Sequence, residues 1–278
     1  MYGILLVLLG TCFGESAQSI GKRGIMDGKQ SLYLTGFLLT FWTTCFFLAI
    51  AILKPDAFVF SLSSLPTFLP RIMLEVLLSY LFIRAMAVAD RSTFGFLRIL
   101  TLPLLLFFDI ILGYDMSIFQ YAGVLLMGVV LAWLLFNHGI EKRGSGLVLS
   151  TAFLAVVTLS LFKYDITHFN SVVAEQLIVH CFVTCFFGIM TVSVARENPF
   201  VFFRNRVLLL QSVASGVAGL LESFAYQYAP ASVVTAAKRA GGVLWSILGG
   251  RMYFHEGAVV KKVIGFIFLT IALALLAV

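Results

Sequence analysis

A succession of apolar stretches, each close to the length of a membrane span and separated only by short polar punctuation, constrains this chain more than any other feature. A helix needs roughly 20 apolar residues to cross a hydrocarbon core about 30 Å thick. Polar punctuation divides the chain into spans from Gly3 to Ile20, Leu32 to Leu53, Ile72 to Ala89, Ser92 to Gly113 and Ile118 to Asn137. A second set follows from Gly146 to Phe162, Val172 to Val194, Val207 to Tyr228, Ser232 to Phe254 and Val259 to Val278. The expected fold class is therefore all-α and integral to a membrane, with ten transmembrane helices. Residues 54–70, rich in Pro, Phe and Ser, read as a linker at the interface.

Composition excludes the main alternatives. Of 278 residues, 61% are hydrophobic and 12% charged, and the mean hydropathy is +1.04. Soluble domains carry about half apolar and a quarter charged residues, so a water-soluble fold is excluded. Ten spans leave no room for a soluble catalytic domain, and no His, Ser or paired-carboxylate motif has catalytic spacing. No enzyme is expected. The apolar run Ile4 to Leu9 has no positive flank and no clean cleavage site, and reads as the first span and not as a leader. Cys12, Cys45, Cys181 and Cys185 all fall inside apolar segments without zinc-type spacing, so no metal, disulfide or cofactor is expected. The net charge of +6 is spread over loops and forms no nucleic-acid stripe. The lipid bilayer is the expected partner, and no segment points to a particular oligomeric state.

The two halves resemble each other weakly. Ala89 to Arg98 aligns without a gap on Ala229 to Lys238: each begins in a tight turn and leads into a helix with a basic residue at the same offset. Gly123 and Gly265 hold matching places in the last span of each half. This reads as two five-helix repeats, 1–140 and 141–278, the second inverted because five is odd, around a central cavity. Loops after odd-numbered spans hold Lys22, Arg23, Lys29, Arg91, Lys142, Arg143, Arg196, Arg204, Arg206, Arg251, Lys261 and Lys262. Those after even-numbered spans hold Lys54, Arg71 and Lys163. The positive-inside rule then puts both termini outside, in a setting that suits a bacterial inner membrane.

Ionisable residues inside spans are costly and mark sites. Counting ~1.5 Å per residue, Arg98 enters the membrane by about 10 Å from one face, and Lys238 and Arg239 by as much from the other. Glu15, late in the first span, should reach the half holding Arg84 and Arg98; Glu222 should reach Lys238 and Arg239. Two acids among four bases leave two bases for a substrate anion, if buried charges pair. Adjacent cations diverge by about 100° around a helix, so one acid can hardly neutralise both Lys238 and Arg239, which suits a multidentate anion. The alternatives are buried pairs that fix helix register and side chains that snorkel to headgroups. Tyr226, Tyr228, Gln18 and Gln211 offer hydrogen bonds to a substrate or between helices. Glu75 reads as a local partner of Arg71, Glu175 as solvated near a span end, and His180 as a cavity or packing residue.

The run from Tyr228 to Arg239 (Tyr-Ala-Pro-Ala-Ser-Val-Val-Thr-Ala-Ala-Lys-Arg) continues through Ala240 to Glu256 to the Phe254-His255-Glu256-Gly257 corner. With a fainter copy from Ala89 to Leu131, cornered at Gly113-Tyr114-Asp115, it resembles the EamA-type members of the drug/metabolite transporter superfamily. The resemblance implies a ten-helix basket, a cavity lined by the third, fourth, eighth and ninth helices, and alternating access. More narrowly, Lys238-Arg239 is similar to the Lys-Arg pair of organic-phosphate translocators, with Arg98 near the place of their further lysine. The expectation is a secondary transporter of a small anionic metabolite, with phosphorylated compounds in its range, bound by Lys238, Arg239 and Arg98, with Glu222 orienting the pair and Glu15 carrying a coupling proton. The alternatives are an exporter of amino acids or amphipathic cations, using Glu15 or Glu222, and a lipid-headgroup-binding membrane protein.

Overall fold

The computed structural model describes residues 2–105, 117–137, 139–228 and 231–276, and among them every regular element is helical. The helices are α1 (Tyr2–Met26), α2 (Leu32–Leu53), α3 (Leu65–Val88), α4 (Arg91–Arg98), α5 (Ile118–Phe136) and α6 (Ser145–His168). They continue as α7 (Val172–Ser193), α8 (Arg206–Tyr228), α9 (Ala231–Phe254) and α10 (Val259–Leu276). The expected end of the fourth span at Gly113, the Gly113-Tyr114-Asp115 corner and the Ala229-Pro230 turn lie outside the described residues.

Serines start several helices. Ser31 accepts from the Leu34 amide at 3.0 Å and Ser171 from Ala174 at 3.2 Å, while Ser117 and Gln120 form a reciprocal capping box on α5. Six helices (α1, α2, α5, α6, α7 and α8) are long and apolar enough to cross a membrane, which is the mark of a multi-pass membrane protein. Their outward faces carry exposed large apolar side chains such as Leu9, Ile52, Leu125, Phe153, Ile189 and Leu210. Water would penalise such a surface; lipid does not. Among the rest, α3 and α9 bear charges within their apolar stretches, Arg71, Glu75 and Arg84 on the first and Lys238 and Arg239 on the second.

Two expectations need correction here. Helix α3 begins at Leu65, inside the expected linker, because Pro66 suits the first turn, where its missing N–H has no partner to lose. Before it, residues 55–57 and 62–64 form single 3-10 turns. Helix α1 runs on to Met26, past the expected end at Ile20, and so carries Lys22 into the protein.

The helices pair across the two halves of the chain. Helix α1 packs on α8 and α9, α2 on α7 and α8, α3 on α6, α4 on α9 and α6, and α5 on α10. Close approaches depend on small residues: a Cβ at Gly95 of α4 would overlap the Ser246 hydroxyl of α9, and one at Gly265 of α10 would press on Leu134 of α5.

Two polar clusters tie the ends of these helices together. In the first, Lys22 donates to the Ala89 carbonyl and Arg91 pairs with Glu15, both within the buried interior. Glu256 accepts from the Arg91 amide at 2.6 Å and the Lys262 ammonium at 3.1 Å, and from the Ser92 hydroxyl. Burial alone would raise the Glu256 carboxyl. The Ser92 hydroxyl, Lys262 and the Arg91 amide outweigh it and hold the group below its ordinary value. In the second cluster, Arg71 pairs with Glu175, whose other oxygen accepts from Asn170 at 2.6 Å. Asn170 also accepts from the Ser61 amide at 2.8 Å, and the Ser171 amide donates to the Val59 carbonyl at 2.8 Å. Thr67 donates to Asp165 at 2.5 Å.

The expected solvated position of Glu175 is thus overturned, as is the pairing of Arg71 with Glu75. Glu175 is fully buried, and its charge requires the strongest available partner. Replacing Glu175 by Gln leaves the Arg71 guanidinium buried without an anion and should cost about 3–5 kcal/mol, read as a lower thermal midpoint. The double variant Arg71→Met, Glu175→Met should recover most of that loss. Because the folded-state pKa of Glu256 is depressed, its contribution is full above the ordinary glutamate value of 4.5 and is lost as pH falls through the folded value. Glu256→Gln should therefore lower the midpoint at pH 7 and flatten its decline on acidification, as followed by thermal melts across pH.

Candidate binding cavity

A cavity of about 350 Å³ opens between the packed helices, lined by residues of α1, α2, α3, α4, α6, α7, α8 and α9. That volume suits a small metabolite. Its wall is unusual in holding many charges for a membrane interior. Arg98, Lys238, Arg239, Glu15, Glu222 and Tyr226, all singled out from depth along the spans, line it together.

Their partners differ in an informative way. Lys238 holds Glu222 at 2.6 Å, so this acid does neutralise one member of the Lys-Arg pair. Glu15 is taken by Arg91, a residue first counted as a loop cation; Arg91 is fully buried, and Gln18 approaches the same guanidinium at 3.4 Å. Arg239 donates its Nε to the Thr101 hydroxyl at 2.8 Å, and Thr101 in turn donates to the Arg98 carbonyl at 2.8 Å. Its two terminal nitrogens have no hydrogen-bond partner among the described residues. Arg98 makes no hydrogen bond through its guanidinium among the described residues; it lies 4.8 Å from the centre of the Phe82 ring and 5.1 Å from that of Phe94. Aromatic faces steady a cation without using its N–H donors.

Among the charges expected to share the interior, two acids hold two bases, Glu15 with Arg91 and Glu222 with Lys238, and Arg91 stands where Arg84 was expected. Arg98 and Arg239 have no carboxylate within ion-pair distance among the described residues. Adjacent residues on a helix face different directions, and this separates the fate of Lys238 from that of Arg239 as anticipated.

Two expected site residues are not brought to the cavity. Arg84 is exposed, and so is Tyr228. Arg84 follows Ile83 on α3; Ile83 lines the cavity, and one step around the helix turns the next side chain about 100° away. Tyr226 does line it, donating or accepting at 3.2 Å with Thr235 and meeting Phe162 edge-on at 6.2 Å between ring centres. Gln18 is also in the wall, whereas Gln211 bonds Gln30 at 3.1 Å between helices.

Glu75, expected to be a local partner of Arg71, and His180, expected as a cavity or packing residue, are both in the wall. Glu75 faces the cavity with Thr158 as its polar neighbour and no base within ion-pair distance among the described residues. His180 stacks parallel to Phe47 at 6.5 Å, and its Nδ1 is buried without a hydrogen-bond partner. The signal for Glu75 was present: α3 places it one turn from Arg71, but Arg71 is claimed by an acid more than a hundred residues away, which no local spacing reveals. The four cysteines carry free thiols, and among the described residues no cluster of His, Cys, Asp and Glu can hold a metal. No protein-family model matches this chain, and no curated protein matches it.

Two guanidiniums whose terminal nitrogens have no acceptor among the described residues can bind one oxyanion in several places at once. Thr101 fixes the Arg239 side of that arrangement. Thr101→Val should weaken binding of inorganic phosphate by about fivefold, the cost of one lost hydrogen bond of ~1 kcal/mol, whereas Thr101→Ser retains the parent affinity. Calorimetric titration of the purified protein checks both.

Proposed function

We propose that this protein is a secondary transporter of a small anionic metabolite, with phosphorylated compounds in its range, taken up in the central cavity and released by alternating access. The observation that carries this reading is the presence of Arg98 and Arg239 in the cavity wall with no carboxylate within ion-pair distance of either among the described residues. A buried cation without a partner is expensive. An arriving anion removes that expense, so the empty cavity is built to favour a negative ligand.

The helix pairings support an inverted-repeat architecture of ten spans, 1–140 and 141–278. Exchanging each helix of the first half with the one five places later turns the α1–α8 contact into α6–α3, and α1–α9 into α6–α4, both of which occur. The pairs α2–α7, α4–α9 and α5–α10 map onto themselves. Arg98 and Lys238, aligned in the two halves, line the same cavity from α4 and α9. With the run Tyr228 to Arg239, these points favour membership of the drug/metabolite transporter superfamily. Lys22, Arg91, Lys262 and Arg71 are buried and leave the topological count, yet the exposed cations still gather on one side. Arg23, Lys29, Lys142, Arg143, Arg196, Arg204, Arg206, Arg251 and Lys261 lie there, against Lys54 and Lys163 on the other. That bias favours both termini outside a membrane such as the bacterial inner membrane.

The cation-export reading, which used Glu15 or Glu222 as the cation site, is weakened because both carboxylates are already engaged by Arg91 and Lys238. The same pairing removes Glu15 from the role of coupling-proton carrier.

Uptake into proteoliposomes from a panel of phosphorylated and carboxylated metabolites tests the reading. Arg98→Gln and Arg239→Gln should each reduce transport of the accepted anion by roughly tenfold or more, as charge-assisted hydrogen bonds are worth about 1.5–3 kcal/mol. Arg84→Gln and Tyr228→Phe should transport like the parent. Transport that survives loss of both cavity arginines would refute an anion site there.

A further inference from the structure

The cavity holds unsatisfied polarity at both of its ends, and the two ends differ in sign. At one, Arg98 and Arg239 have no anion within ion-pair distance among the described residues. At the other, Glu75 forms no ion pair among the described residues: its positive neighbours, Arg71 and Lys238, are held by Glu175 and Glu222. The nearest base along its own helix, Arg71, is fixed on Glu175 and lies flat over the Phe162 ring at 4.7 Å, and Asn170 completes that pair. His180 lines the same cavity, has Arg71 as a charged neighbour in common with Glu75, and brings a buried Nδ1 with no hydrogen-bond partner among the described residues. Ser79, one turn after Glu75 on α3, and Thr158 of α6 add hydroxyls to the wall. The wall thus offers a carboxylate, an imidazole nitrogen and hydroxyl oxygens, all able to accept and none in an ion pair among the described residues.

We propose that the region around Glu75 and His180 is a cation subsite, so that the transported molecule carries an ammonium group as well as its anionic group. The inference rests on the anion reading given above and adds the second half of the ligand. An ammonium has three N–H donors and no acceptor, the complement of what Glu75, His180 and the two hydroxyls present. A molecule with both charges neutralises both ends in one binding event, where a simple anion leaves the half-buried Glu75 without an ion-pair partner. The spacing is set by α3: Glu75 and Phe82, the ring on which Arg98 rests, are seven residues apart, which is about 10 Å along the axis.

The test compares matched pairs of ligands on the purified full-length protein by calorimetric titration. Ethyl phosphate is set against O-phosphoethanolamine, and butyl phosphate against 4-aminobutyl phosphate, so that each pair differs only in the amine. The proposal expects the amine-bearing member of at least one pair to bind about tenfold tighter, the scale of a charge-assisted hydrogen bond. Glu75→Gln should abolish that preference while leaving butyl phosphate binding within about twofold of the parent, since its phosphate contacts lie at the other end. Equal affinity within both pairs for the parent protein would overturn the cation subsite without reference to any variant. So would a Glu75→Gln protein that keeps the preference, or one in which only the pH dependence of phosphate binding changes, which would make Glu75 a proton site. If no member of either pair binds, the anion reading itself falls and the cation subsite falls with it.

Discussion

A charge placed in a low-dielectric interior must find an opposite charge or a hydrogen-bonding shell, and this requirement organises the whole molecule. Glu15 meets it through Arg91, Glu175 through Arg71 and Asn170, Glu256 through Lys262 and Ser92, and Glu222 through Lys238. Each of these pairs joins residues from different helices or from a helix and a corner. They fix which helices meet, and the apolar faces fill the space between. The exceptions, Arg98, Arg239 and Glu75, lie together in the cavity wall. Exceptions to a strict rule, gathered in one place, are where a ligand belongs.

The same pairs bear on motion. One cluster draws the end of α1 to the corners that follow α3 and α9, through Lys22, Arg91 and Glu256. The other draws residues 59–61 and the start of α3 to the corner between α6 and α7, through Asn170, Glu175 and Ser171. Both are built from charged and polar contacts between different segments of the chain, so each can separate as a unit when its members regain water. A cycle that opens the cavity to one side at a time has to break one cluster while keeping the other, which is the logic of two discrete states.

Much of the architecture was legible in the sequence because membrane spans obey a simple length rule. Leu32 and Leu53 bound α2 as the apolar run does, and α7 and α8 agree within a residue. Residues 54–70 were misread because Pro66 and Pro70 look like breakers, although a proline in the first turn costs a helix little. Depth along a span located Arg98, Lys238, Arg239, Glu15 and Glu222 correctly in the cavity. Depth says nothing of direction around the helix, and for this reason Arg84 was included when it points outward. The partners of the buried charges were the least accessible part. Arg91 beside a tight turn reads as a loop residue, and only the packing of α1 against α8 and α9 brings Glu15 within its reach.

The central claim is that Arg98 and Arg239 together hold the transported anion. A density map of the protein loaded with an anion it transports tests this most directly. The account predicts density for the anion between the two guanidiniums, within hydrogen-bonding distance of the free nitrogens of each, with Arg98 still resting on Phe82. Density for the anion at any other place in the cavity, or either arginine turned away to a carboxylate, would contradict it.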